Sequence, residues 1–391
     1  MDQGEHWLNR ERLSAYPRIV LALCIAVTLT WVLLAEGMVD LKGKPLGYDF
    51  ITYWAASSLG LGPHPEHAYQ LPLLFQAEQA AVPGLQLPFP WYYPPTFYLV
   101  VLPLSLLPYP GAYLAFVLTT LAAFVAVFRR VVAGREAMWL LAAFSGIWLN
   151  LFQGQNAFLT AALAAGALLC LERRPVLAGV CIGLLAMKPH LALLFPLALI
   201  AAGAWRTLLV ATLTAATFTV LSTLLLGQAT LAAFVTSLPF IRMILEEGIL
   251  PWVKMPTTFA LARLLGAPLA WAYAAHALAA LGAMAAVWRV WRQTSDLGLR
   301  GAVLMTATFL VSPYCFDYDL AWLAFPIAWL TLAGLESGWR PGEREVLLAA
   351  WALPMFMAPV ALLLSFQIAP LVLLALLWMV LGRTGSTGLK V

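Results

Sequence analysis

Between Ile19 and Ala35 the chain has no charged residue, and runs of similar character recur almost to its end. A helix of roughly 20 apolar residues crosses the ~30 Å hydrocarbon core of a bilayer. Within that core each backbone N–H and C=O needs a partner in the chain itself, which favours helices. Hydrophobic residues make up 63% of the sequence and charged ones 10%, against about 25% charged in soluble domains. These features predict an all-α polytopic membrane protein: a single integral membrane domain over residues 1–391 with about 12 transmembrane helices. Neither a soluble domain nor an internal repeat stands out.

Arg10, Arg12 and Arg18 precede the first apolar run, and no small-residue cleavage site follows it. The run is therefore expected to be an anchored helix rather than a signal peptide. Positive charge collects on the cytoplasmic side of membrane proteins. Arg129, Arg130, Arg135, Arg173, Arg174, Arg206, Arg289, Arg292, Arg383 and Lys390 all fit one side. The resulting topology puts most of the 22 Lys and Arg residues inside and divides the 18 Asp and Glu evenly. Both termini are then cytoplasmic, in a cell inner membrane. Two external loops follow from it, 36–95 and 227–256. Within the first, Tyr53–Leu61 and Leu71–Ala81 read as short interfacial helices. Phe97–Leu107 is apolar but short, a possible re-entrant segment. Met138–Phe152 and Ala157–Leu171 form a pair joined at Gly154-Gln155-Asn156, and a second pair breaks at Lys188-Pro189-His190.

The four cysteines, Cys24, Cys170, Cys181 and Cys315, show neither metal-ligand spacing nor an arguable disulfide. The polar residues assigned to the external side carry the chemistry. Asp49, in Gly47-Tyr48-Asp49-Phe50, suits a general base near a membrane surface. It equally suits a cap on the helix that follows. Tyr92 and Tyr93 precede two prolines and suit either a sugar, a lipid chain or an interface belt. Gln155 and Asn156 offer donors and acceptors for sugar hydroxyls, or make a plain polar turn. Lys188 sits inside an apolar run, where a charge usually lines a cavity, and a phosphate is its natural partner. Snorkelling is the competing account. His190 lies two residues on. Arg242 and Lys254, in the second external loop, are further phosphate candidates. Tyr314, Asp317 and Asp319 follow Ser312-Pro313; one aspartate is expected to face a cavity and the other to cap. Metal-hydrolase and nucleotide-binding motifs are missing from the sequence.

In order and spacing these pieces resemble glycosyltransferase family 87, the polyprenol-phosphate-mannose-dependent mannosyltransferases of the GT-C fold. The matching residues are Gly47-Tyr48-Asp49-Phe50 with Tyr53 and Ala56, then Tyr93-Pro94-Pro95 with Pro103, then Gly154-Gln155-Asn156. Ala178-Gly179 and Gly183 follow, running into Lys188-Pro189, and Ser312-Pro313-Tyr314 ends the series. The resemblance implies an inverting, metal-independent transfer without a cofactor, from a polyprenyl-phosphate sugar to a glycan or glycolipid acceptor. It makes Asp49 the base. In the mechanism that follows, the donor's isoprenoid tail lies in a groove between helices and its phosphate meets Lys188, with Lys254 or Arg242; His190 and Tyr93 are further candidates for donor phosphate and lipid. Candidate substrate contacts are Tyr53, Tyr92, Gln155, Asn156, Tyr314, Asp317 and Asp319. Many members carry a histidine shortly after the Ser-Pro motif; here that stretch reads Phe316-Asp317-Tyr318-Asp319. The expected partners are membrane lipids and these substrates, and not nucleic acid. A transporter or flippase is the alternative, weakened by the missing repeat and by polar motifs gathered on one face.

Overall fold

The computed structural model describes residues 7–387, so Lys390 lies outside the described residues. Among these the chain is helical, with two isolated β-bridges near Val39. Helix α1 (Arg10–Leu33) opens it. In the first loop, α2 (Phe50–Gly60) and α3 (Leu71–Ala81) flank a 3-10 turn, Pro65–Tyr69. α4 (Pro95–Val101) is short and α5 (Tyr109–Val131) long. α6 (Arg135–Ala142), α7 (Ser145–Gln153), α8 (Ala157–Cys170), α9 (Pro175–Leu184) and α10 (Leu194–Ala201) are short. α11 (Trp205–Leu226), α12 (Gln228–Glu246), α13 (Thr258–Leu264) and α14 (Leu269–Gln293) follow. α15 (Leu297–Val311), α16 (Ala324–Ser337), α17 (Glu343–Leu364) and α18 (Ala369–Thr387) complete the bundle.

Among the described residues, seven helical stretches are long and apolar enough to cross a membrane: those of α1, α5, α11, α12, α14 and α17, and Asp317–Ser337, which runs through a 3-10 turn into α16. This supports a polytopic helical membrane protein. Six shorter apolar stretches of 10–17 residues accompany the seven among the described residues. The short helices are buried against others. Almost every residue of α15 from Leu299 to Leu310 is buried, as is most of α8. Irregular backbone is tolerated at membrane depth where protein covers it. The expected single crossing Met138–Phe152 accordingly breaks into α6 and α7 at Ala143-Phe144.

The loop 227–256 is the second correction. Most of it is helix α12, whose Phe234 ring meets Tyr69 of the first loop at 6.1 Å. The charged residues of this helix and its C-cap, Arg242, Glu246 and Glu247, gather at its far end. In the first loop the boundaries of α3 are as expected, and α2 begins three residues before Tyr53.

Small residues set the tightest helix contact. A Cβ added to Gly183 of α9 would lie 2.4 Å from Thr214 Cβ, and one at Gly179 2.6 Å from Val210 Cβ, both on α11. Between helices in lipid, such residues let backbones approach closely where packing is the main attraction. At the end of the bundle remote from the first loop, the Arg383 guanidinium donates to both Glu343 oxygens. It also reaches Ala333 O at 3.1 Å, Ser337 Oγ at 2.8 Å and Gly338 O at 3.0 Å. One side chain thus ties α18 to α16, α17 and the turn between them. Arg383→Met should destabilise the protein by about 3–5 kcal/mol, because Glu343 stays buried without its partner. A second change, Glu343→Met, should restore much of the loss. Thermal unfolding in detergent measures both.

Candidate active site

The site begins in the short loop after α1. Asp40 accepts N–H groups from Lys42 at 2.8 Å and Lys44 at 3.0 Å, the Trp31 indole N–H at 3.2 Å and the Tyr48 hydroxyl at 2.9 Å. Burial alone would raise the Asp40 carboxyl; these donors outweigh it and hold the group below its usual range. The loop they close leaves Gly47 at φ +91° and Tyr48 at φ +42°. A positive φ is strained for a bulky residue. Tyr48 is held there by Asp40 and by stacking on Trp31. Asp49 comes next, immediately before α2.

Asp49 makes no side-chain cap on α2. Its Oδ2 instead accepts Nε2–H of Gln155 at 2.8 Å. Glycine makes that meeting possible. Gly154, at φ +57°, ends α7, and a Cβ there would lie 2.5 Å from Phe50 Cβ and 3.0 Å from Gly47 O. The α7–α8 turn and the start of α2 therefore touch almost backbone to backbone. Gln155 Oε1 lies 2.5 Å from the Tyr53 hydroxyl and 2.8 Å from that of Tyr93. A carboxylate only accepts, so the amide nitrogen faces Asp49 and its oxygen faces the tyrosines. Asp49 is surrounded by protein but reachable from the adjoining cavity. Burial raises its carboxyl above the usual range; the Gln155 hydrogen bond and the charges of Lys254, Lys44 and Lys188 only partly offset this.

Lys188 stands in the break after α9, ahead of Pro189 and out of the helical region at φ −144° and ψ 69°, where the following proline disfavours helix. It is almost fully buried. Its ammonium donates to Asp319 Oδ1 at 2.5 Å and Asn156 Oδ1 at 3.2 Å, and lies 4.8 Å from the Tyr318 ring centre. It is thus not the lone ammonium that a single charge in an apolar run suggests. Asp319 also accepts the Phe316 N–H at 3.3 Å, so one carboxylate both caps a turn and pairs a cation. Asp317 lies 3.9 Å from Lys254 Nζ and accepts from Gln153 Nε2 at 3.3 Å. The expected division of labour between the aspartates therefore gives way to two charge pairs.

A cavity of about 790 Å³ opens beside these groups. Asp49, Tyr92, Tyr93, Gln155, Lys188 and Lys254 line it, as do His190 and Tyr314, whose rings meet edge to face at 5.5 Å. Tyr53, Asn156, Asp317 and Asp319 support the lining through the contacts above. Arg242 does not join them. It is exposed on α12 and donates to Glu246 at 2.7 Å, one helical turn away. Four polar lining residues, Lys44, Thr52, Gln153 and Tyr318, are not among the sequence candidates. The apolar wall from α12 and α17, including Phe234, Leu238, Ile241 and Leu362, was also unforeseen because α12 was read as a loop.

The cavity therefore combines a carboxylate bonded by a neutral amide, ammonium groups, aromatic rings and an apolar wall. That combination fits an amphiphile with an anionic head. Breaking one of its charge pairs should be costly. Lys188→Met and Asp319→Leu should each destabilise by about 3–5 kcal/mol, the scale for orphaning a buried charge. The double variant should lose much less than their sum, a coupling that denaturant titration of all three proteins measures.

The sequence model of glycosyltransferase family 87 matches residues 91–313. The matched stretch contains Tyr93, Gln155, Lys188 and Lys254 and stops short of Asp317 and Asp319; Asp49 precedes it. Neither curated proteins nor solved structures yield a match. With more than half of its length matched, the chain belongs to glycosyltransferase family 87 and is a membrane glycosyltransferase.

Proposed function

We propose that the chain transfers a hexose, with mannose favoured, from a polyprenyl-phosphate donor to a lipid-linked or glycan acceptor. The transfer is inverting, needs no metal and takes place at the periplasmic face of the inner membrane. The observation that carries this reading is the placement of Asp49: it leaves the helix it precedes uncapped and is held by Gln155 into a cavity that also presents Lys188 and Lys254.

In the proposed reaction Asp49 takes the proton of an acceptor hydroxyl as that oxygen attacks the anomeric carbon. The bond from that carbon to the phosphate oxygen breaks on the opposite side, which inverts the centre. The phosphate leaves as an anion, stabilised by ammonium groups already in place. An ammonium has three protons, and Asp319 and Asn156 accept two from Lys188, so one remains for phosphate. An apolar groove of about 660 Å³ between α9, α10 and α11 shares Pro189 with the cavity. It offers the isoprenoid tail a path beside the residue that meets its phosphate.

Asp49→Asn should keep the fold and donor binding while lowering transfer by roughly 10²-fold or more, the scale for a positioned base. A transfer assay with a panel of radiolabelled polyprenyl-phosphate hexoses, run beside a donor-binding assay, tests base and sugar together. The base works ionised, so kcat/KM should fall as pH drops through the raised Asp49 value. Because the folded state binds that proton more tightly than the unfolded one, Asp49 contributes stability at low pH that is lost as pH rises through its folded value. Acid loss of activity from this group should therefore be reversible and occur without unfolding. Orientation is tested separately. Impermeant thiol reagents should label Pro63→Cys and Pro341→Cys from opposite sides of the membrane, and same-side labelling would reject the topology.

A further inference from the structure

The turn between α2 and α3 carries His64-Pro65-Glu66-His67, which the transfer chemistry leaves unused. A 3-10 turn has three residues per turn, so side chains at i and i+3 eclipse. His64 and His67 stand in that relation. Their rings stack with centres 4.8 Å apart and planes 22° from parallel. Glu66 reaches the same side and places Oε1 3.1 Å from His64 Nδ1. The two imidazoles and the carboxylate bring one ligand atom each to within 4.8 Å of one another. From these positions we infer that His64, Glu66 and His67 form a zinc-binding site on the first loop.

Two imidazole nitrogens and a carboxylate oxygen, with a fourth position left to water, are an established zinc donor set. Bonds of about 2.0–2.2 Å in a tetrahedron put ligand atoms roughly 3.4 Å apart. Closing from the present spacing needs side-chain rotation and little else. His64 is largely exposed and Glu66 partly so, which leaves them room to rotate. The backbone beneath is already fixed. Pro65 restricts its own φ and its carbonyl accepts the Tyr98 hydroxyl at 2.5 Å. The imidazoles also set the metal class. Magnesium and calcium prefer all-oxygen shells, whereas zinc accepts nitrogen and oxygen together.

The site stands apart from the reaction, because none of the three residues lines the cavity with Asp49. It is nevertheless coupled to the rim. Two residues after His67, the Tyr69 hydroxyl donates to Tyr93 O at 2.7 Å, and Tyr93 does line the cavity. A bound ion would stiffen the turn that holds this segment.

The test uses the full chain in detergent, purified without a histidine tag and stripped with EDTA. Calorimetric titration with zinc chloride should show one ion per chain, and magnesium chloride should give no saturable heat. His64→Ala and His67→Ala should each weaken zinc by at least about tenfold, the smallest usual loss even for an outer partner of a metal ligand. His276→Gln, remote from the turn, should leave the affinity unchanged. Zinc should also raise the unfolding midpoint of the unaltered chain and not that of the double variant. Equal unfolding midpoints without metal verify that the variants fold. A wild-type titration without saturable heat overturns the proposal, as does an affinity that survives in the double variant.

Discussion

The first loop meets the bundle where Gly154 lies against Phe50 and Gly47, and that near contact of two backbones determines where everything polar can sit. A side chain at position 154 would push the α7–α8 turn away from α2. Gln155 would then lose Asp49 on one side of its amide and the two tyrosine hydroxyls on the other. The strained Tyr48 serves the same end from the loop side, fixed by Asp40 and Trp31 so that Asp49 arrives next to the turn rather than over the start of its own helix. The geometry of the carboxylate is therefore a property of backbone approach, and the hydrogen bonds follow from it.

Charge compensation divides the polar residues into two kinds. Lys188, Lys254 and Arg383 each face a carboxylate, as buried or half-buried cations must if they are not to carry an uncompensated desolvation penalty. Asp49 differs, since its close partner is a neutral amide and the lysines act on it from farther away. A carboxylate in that setting is more basic than one in a salt bridge, which suits proton abstraction. Family membership states the reaction class, and this contrast gives a physical reason to single out Asp49 within it.

Much of this organisation was legible in the sequence wherever the signal is local. Apolar run length gave the polytopic class, the Lys188-Pro189 pair marked a real break, and α3 has the expected ends. Features set by distant neighbours were not legible. Lys188 and Asp319 are 131 positions apart, so no local pattern announces their pairing. Asp49 and Gln155 are 106 apart, and only the resemblance grouped them. Arg242 is the instructive failure. Its spacing of four from Glu246 was visible, yet a charge on a segment taken for a loop looked free to reach a phosphate. The same misreading hid α12 and with it the apolar wall. The interruption between α6 and α7 did carry a local signal, since it falls immediately before Ser145-Gly146, a dipeptide typical of turns.

The retained pairing of Lys188 also bears on how the proposed cycle ends. After transfer the lipid phosphate carries at least as much negative charge as the donor did, and a bare ammonium would grip it. Slow departure of product limits many enzymes. In the proposed cycle Asp319, paired with the same nitrogen, would compete for it and temper that grip. The counter-ion of Lys188 would then favour release, trading some attraction for the leaving group against a faster return to the empty site.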